Sequence, residues 1–176
     1  MAALAESKGM VDCDVDAADL YLLLQPVTQE EGEFWSGQKA KLIAEEQELD
    51  YTISDGPPGI GCPVISSLSG ANLALLVTEP TLSGIHDLER VLGVCHHFGV
   101  PALVCINKYD INEDNSHQIE RYCLSQGIEV ASKVPFDNVV TEAMVHGLPV
   151  VEYCDNSVSR QINLLWEHVL SFLAKN

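Results

Sequence analysis

The sequence predicts an α/β protein, a mostly parallel sheet flanked by helices on both faces. Three observations carry this. Short apolar segments alternate with helical patterns along the chain, the order that builds parallel strands joined by crossover helices. Two segments, ANLALLVTE (71–79) and ALVCI (102–106), are continuously apolar, as strands buried on both faces are. Polar and conformationally special residues gather where the apolar segments stop, at the edge of such a sheet where ligands bind.

A chain of 176 residues is expected to form a single α/β domain with a sizeable core. Its hydrophobic content of 47% and charged content of 20% fit a folded globular protein. The net charge of −17 argues against nucleic acid and anionic membrane surfaces, because phosphate binding calls for clustered Lys and Arg. No apolar run reaches the roughly 18 residues that a membrane span needs. The start, MAALAESKG, lacks the basic-then-apolar order of a signal peptide, so a cytoplasmic location is expected. Cys13, Cys62, Cys95, Cys105, Cys123 and Cys154 are dispersed, with no CxxC pair. That distribution points to reduced thiols and not to a disulfide framework or a locally spaced metal site.

Taken in order, MVDCD (10–14) reads as a short strand and 17–24 as a short helix or turn. The segment 36–48 is rich in Lys, Glu, Gln and Ala and reads as a helix. Leu49, Tyr51 and Ile53 alternate into a strand that stops at Asp55. A Gly/Pro loop follows, then a short helix over 64–68 and the apolar strand at 71–79. Ser83 is placed to cap the next helix, whose Leu88, Val91, Leu92 and Cys95 fall at helical spacing. Pro101 opens the strand that closes at Asn107. A helix over 115–126 is ended by Gly127, and IEVASKV (128–134) forms the next strand. Then come a helix over 139–146, PVVEY (149–153) as a short extended segment, and a last helix over 157–174. That helix carries Ile162, Leu165, Val169 and Phe172 along one face.

The strand ends carry the chemistry. In SDGPPGIGCPVI (54–65), Asp55 closes an apolar strand and a glycine-rich loop follows. This is the Walker B and switch arrangement of phosphate-hydrolysing domains, in which the carboxylate holds Mg²⁺, usually through water. A glycine amide of the loop, with Gly59 the candidate, can sense a terminal phosphate. Asp14 would then aim at the attacking water and Asp12 support the metal. The competing reading of Asp55 is a plain strand-terminal turn. NKYD (107–110) matches N-K-x-D, a pattern that reads purine bases. Asn107 can pair with N6 and N7 of adenine, and Asp110 can accept both N–H groups of guanine. A capped loop ahead of the helix would use similar residues. Pro135 and Phe136, at the end of the fifth strand, complete the candidate nucleotide-binding set.

Together VDCDVDAADL, DGPPGIGCPVI, VTEPTLSGIHDLERV, INKYDIN and VPFDNVVTEAMVHGLPVVEY resemble the MinD/ParA-type P-loop ATPases. More narrowly, they are similar to the MinD-superfamily members with an inserted ferredoxin domain. The likeness runs from Val11 onward. It implies an ATP-binding, ATP-hydrolysing switch with ATP and Mg²⁺ as cofactors, working as a homodimer and linked to iron–sulfur or redox partners. In the intact protein it adds a [4Fe–4S] cluster.

Two departures accompany the resemblance. The family's lysine-rich loop of the form GKGGTGKT has no counterpart, and AALAESKG resembles the end of the helix that follows it. FWSGQKA (34–40) runs almost directly into KLIAEEQELDY, where the family inserts its ferredoxin motifs. Either the chain is a degenerate paralogue or segments near 1–10 and 39–41 are omitted from it. True loss of a central strand would cost more than the roughly 5–15 kcal/mol that holds a domain together, which favours omission. Cys62 follows Asp55 by seven positions, a spacing similar to that of the cluster-ligating cysteine in the related nitrogenase iron protein. A small residue opening a helix, with no ligand, is the alternative. Two rival functions share this nucleotide fold: ATP-dependent amide synthesis of the cobyrinate diamide synthase type, and a nucleotide-free pseudo-ATPase acting as an interaction module. The first needs a glutaminase-like region for which 176 residues leave no room.

Overall fold

The computed structural model describes residues 2–5, 7–12, 49–56, 59 and 61–175. The helices expected at 17–24 and 36–48 lie outside them. Strands β1 (Lys8–Asp12) and β2 (Tyr51–Asp55) pair in parallel, from Lys8 opposite Tyr51 to Asp12 opposite Asp55. The first strand thus begins earlier than MVDCD suggested. Strands β3 (Ala74–Thr78), β4 (Ala102–Asn107) and β5 (Glu129–Val134) form a second parallel sheet with β4 in the centre. Among the described residues β2 and β3 do not pair with each other. The ladder of β4 with β5 is irregular: Val104 faces Val130, Cys105 faces Ser132, and Ala131 is left over. This is a bulge, one extra residue in β5.

The helices are α1 (Cys62–Leu68), α2 (Leu82–Phe98), α3 (Glu113–Ser125), α4 (Val139–Val145), α5 (Val150–Tyr153) and α6 (Ser157–Leu173). They cover both faces of the three-stranded sheet, because alternate residues of β4 point to opposite sides. Val104 and Ile106 pack with Val64 and Leu68 of α1, Ile85, Leu88 and Leu92 of α2, and Ile119 of α3. On the other side, Cys105 and Val134 pack with Val158 and Leu165 of α6, bordered by Val140 and Val150. Leu103, Val104 and Ile106 are completely buried, so β4 fulfils its continuous apolar pattern. β3 does so only in part, since Val77 is 62% exposed. The two sheets meet α6 together: Tyr51 of β2 lies edge-on to Trp166, ring centres 5.5 Å apart. No helix among the described residues is long and apolar enough to cross a membrane.

Two local expectations are corrected. The cap of α2 is Thr81, not Ser83. Thr81 is extended (φ −117°, ψ 158°), and its Oγ1 accepts from the Gly84 amide at 3.0 Å, while Ser83 already lies inside the helix. PVVEY is not extended either. The Pro149 carbonyl accepts from the amides of Glu152 (3.0 Å) and Tyr153 (3.1 Å), closing the single turn of α5. Packing of Val150 against the core overrides the extended preference of its β-branched neighbours.

Candidate functional site

The carboxyl edge of the three-stranded sheet is built around the NKYD turn. Asn107 ends β4, and Lys108 takes the left-handed conformation (φ 52°), which turns the chain sharply into a 3₁₀ turn over Tyr109–Ile111. A non-glycine residue in that region is uncommon and is held there by its surroundings. The Lys108 ammonium reaches across to Glu79, with Nζ 2.7 Å from Oε1. Ser116 of α3 donates to the Tyr109 carbonyl at 2.6 Å. Asn115 donates from Nδ2 to the Pro80 carbonyl at 3.0 Å. Asn112 caps α3, its Oδ1 accepting from the Asn115 amide at 3.0 Å. So the NKYD segment does supply a capped loop ahead of a helix, through Asn112.

Asp110 points the other way. Its Oδ1 accepts from the Phe136 amide at 2.7 Å, tying the NKYD turn to the loop after β5. That loop is anchored from behind by Asp137, which accepts from the Val139 amide at Oδ1 (3.0 Å) and from Asn156 Nδ2 at Oδ2 (3.2 Å). The Phe136 ring is half exposed. Asn107 stands opposite Val134 in the ladder, one residue before Pro135. Among the described residues no side-chain hydrogen bond engages Asn107, so its carboxamide is open to a ligand. The structure therefore brings Asn107, Asp110, Pro135 and Phe136 together on two adjacent strand ends.

The remaining candidates belong to the other sheet. Asp12 and Asp55 are register partners at the carboxyl ends of β1 and β2, and Asp55 is exposed. Asp14 lies outside the described residues, as do Pro57 and Pro58. Gly59 has φ 95° and nothing within 4 Å of where a Cβ would stand, so its backbone conformation, not crowding, calls for glycine. Cys62 is exposed and opens α1.

The donor sets decide which groups these residues could hold. Two carboxylates on adjacent strand ends supply the hard oxygen donors that Mg²⁺ takes, with water and phosphate oxygens filling the rest of its shell. A four-iron cluster generally takes four thiolates. Here Cys95, Cys105 and Cys123 are buried, and burial pushes the Cys105 and Cys123 thiols up to about 11. Among the described residues no group of three or more His, Cys, Asp or Glu is placed to hold a metal ion. The described cysteines thus do not fit a cluster within one chain.

Sequence reasoning missed Glu79 and Asn115 as braces of the NKYD turn. Glu79 stands at a strand end with the other polar residues, a visible signal. Its pairing with Lys108 depends on β3 and β4 being neighbours, which no local pattern encodes.

No protein-family model matches the chain. It is 31% identical over 149 residues to the uncharacterized protein MJ0578 of Methanocaldococcus jannaschii, covering 82% of this chain and 49% of that one. It is 28% identical to the septum site-determining protein MinD of Bacillus subtilis (74% and 51% covered). It is 26% identical to the iron–sulfur cluster carrier protein of Pyrococcus furiosus (72% and 47%). The chain thus spans about half the length of these relatives. Among solved structures, MinD of Pyrococcus horikoshii, complexed with Mg-ADP, superposes with a TM-score of 0.74 at 18% identity, covering 93% of this chain and 83% of that one. At that identity the likeness is one of fold.

Proposed function

Because this chain belongs to the MinD/ParA family of ATPases, we propose that it forms the base-binding and switch part of a site that binds and hydrolyses ATP. The observation that carries this reading is the junction of two strand-end loops by Asp110 and the Phe136 amide, beside the open carboxamide of Asn107. Asn107 supplies an acceptor for N6–H and a donor for N7 of adenine, the pairing that a carboxamide makes with that base. Pro135 and Phe136 offer an apolar wall against the purine face.

Asp12 and Asp55 would hold Mg²⁺, which supplies charge neutralisation for the phosphates when bound. Asp55 then reports phosphate state to the loop through Gly59, whose left-handed backbone lets its amide approach a phosphate closely. Asp14 orients the attacking water. The resemblance to iron–sulfur carriers extends the proposal to a redox or iron–sulfur client and to a homodimer. No step is assigned to a cluster on this chain.

Competition binding of ATP and GTP to the intact protein tests the reading. ATP is expected to bind with Asn107→Ala weakening it by about 1–2 kcal/mol, the scale of buried hydrogen bonds lost. Asp55→Asn is expected to abolish Mg²⁺-dependent hydrolysis with the circular dichroism spectrum unchanged. Hydrolysis at the parental rate by that variant removes Asp55 from the switch, and absence of any nucleotide binding leaves the pseudo-ATPase reading.

A further inference from the structure

We propose that Asp110 is a positioning residue that makes the site select adenine over guanine, by committing its carboxylate to the Phe136 amide and not to the base. The inference rests on the nucleotide reading above and goes beyond it in assigning the selectivity to one side chain. A carboxylate that reads guanine takes one N–H, from N1 and from N2, on each of its two oxygens, with its open edge turned to the base. Here Oδ1 is turned to the Phe136 amide and makes a 2.7 Å bond with it. That length marks a strong bond to a charged acceptor. The bidentate edge that guanine requires is therefore not presented.

The same bond has a second effect. It fixes where the Pro135–Phe136 backbone leaves the sheet, and with it the half-exposed Phe136 ring. Asp137 anchors the far side of the loop on α4 and α6 through Val139 and Asn156. Held from both sides, the loop keeps its wall beside Asn107, the open amide at this edge. A carboxamide there can both accept from the adenine 6-amino group and donate to N7. With guanine it meets an oxygen at position 6 and must rotate, and then no carboxylate takes the N1 and N2 protons. Selectivity thus arises from an acceptor withheld as much as from one supplied.

Two variants separate positioning from base reading. Asp110→Asn keeps an oxygen that can accept from the Phe136 amide, whereas Asp110→Ala removes it. Hydrogen exchange of the Phe136 amide and binding of ATP and GTP are measured on the full chain for the parent and both variants. The expected result is a protected Phe136 amide in the parent and in Asp110→Asn, with ATP affinity within about twofold and the preference for ATP kept. Asp110→Ala is expected to lose the protection and about tenfold in ATP affinity, as a charge-assisted bond would cost. Equal exchange in the parent and Asp110→Ala overturns the proposal. So does a parent that prefers GTP, or an Asp110→Asn variant as weak for nucleotide as Asp110→Ala. Failure of the parent to bind either nucleotide overturns the nucleotide reading and with it the selectivity claim, while the exchange contrast still judges the brace.

Discussion

Lys108 Nζ stands 2.7 Å from Glu79 Oε1, a bond between the turns that follow two neighbouring strands, β3 and β4. Both side chains are partly exposed, so the pair is worth only about 0–1 kcal/mol as an ion pair. Its effect is directional: it holds Lys108 in a left-handed turn that a non-glycine residue does not choose unaided. With the Asn115 bond to the Pro80 carbonyl and the Asp110 bond to the Phe136 amide, it joins the loops after β3, β4 and β5.

The first of these loops leaves no room for a methyl group. At Gly84, in the first turn of α2, a Cβ would stand 2.4 Å from the Glu79 carbonyl oxygen and 3.0 Å from Thr78 Oγ1. Gly84→Ala is expected to destabilise the protein by about 1–3 kcal/mol, as overpacking does. Gly93, further along the same helix, has nothing within 4 Å of its Cβ position. Gly93→Ala is expected to stabilise by about 0.5–1 kcal/mol through helix propensity. Urea denaturation of the two variants checks the contrast, and equal midpoints would contradict the close approach at Gly84.

Asn156 serves two elements at once. Its Oδ1 accepts from the Ser159 amide at 2.9 Å, closing a capping box on α6, while its Nδ2 donates to Asp137. Asn156→Ala is expected to cost about 1–2 kcal/mol, the upper part of the range for a lost cap. Chemical denaturation measures the loss. Faster amide exchange at Ser159 locates it, and unchanged exchange there would mean that the cap contributes nothing.

The buried thiols set a limit on the alkaline side. Burial raises Cys105 and Cys123 from 9.0 to about 11. The folded state therefore binds more protons than the unfolded state within that window. Their contribution to stability is complete below pH 9 and is lost as pH rises towards about 11. Denaturation midpoints should fall across this interval, and less steeply in Cys105→Ala measured relative to its own neutral-pH value. At neutral pH, iodoacetamide should reach the exposed Cys62 while Cys105 and Cys123 react only on unfolding.

Much of the scaffold was legible because its signals are local. The apolar run of β4, the helical spacing of Leu88, Leu92 and Cys95, and Gly127 with φ 68° each act through their own neighbourhood. The NKYD turn was legible as a strand end for the same reason. What escaped depends on tertiary contact. PVVEY becomes a helical turn because Val150 meets the core, and Val77 is exposed although its segment is uniformly apolar. Asp110 illustrates the difference at the site: its motif suggests an acceptor for a base, and the fold brings it a backbone amide from 26 residues away. Asp14 lies outside the described residues, and Asp12 is placed by register alone.

The surplus residue in β5 works as a depth setting for the edge. From Leu103 opposite Glu129, an unbroken ladder would put Asn107 beside Lys133; with Ala131 passed over, Asn107 stands beside Val134. Everything after the bulge is drawn back by one residue, about 3.3 Å along the strand. Pro135 therefore begins level with Lys108, and the Phe136 amide falls within reach of Asp110. Removing one residue from β5 would lift that amide by a full strand step without touching either partner of the bond. The coupling between the two loops is thus governed by a count of residues in the middle of a strand, and a change in length there would separate them where a change of side chain would not.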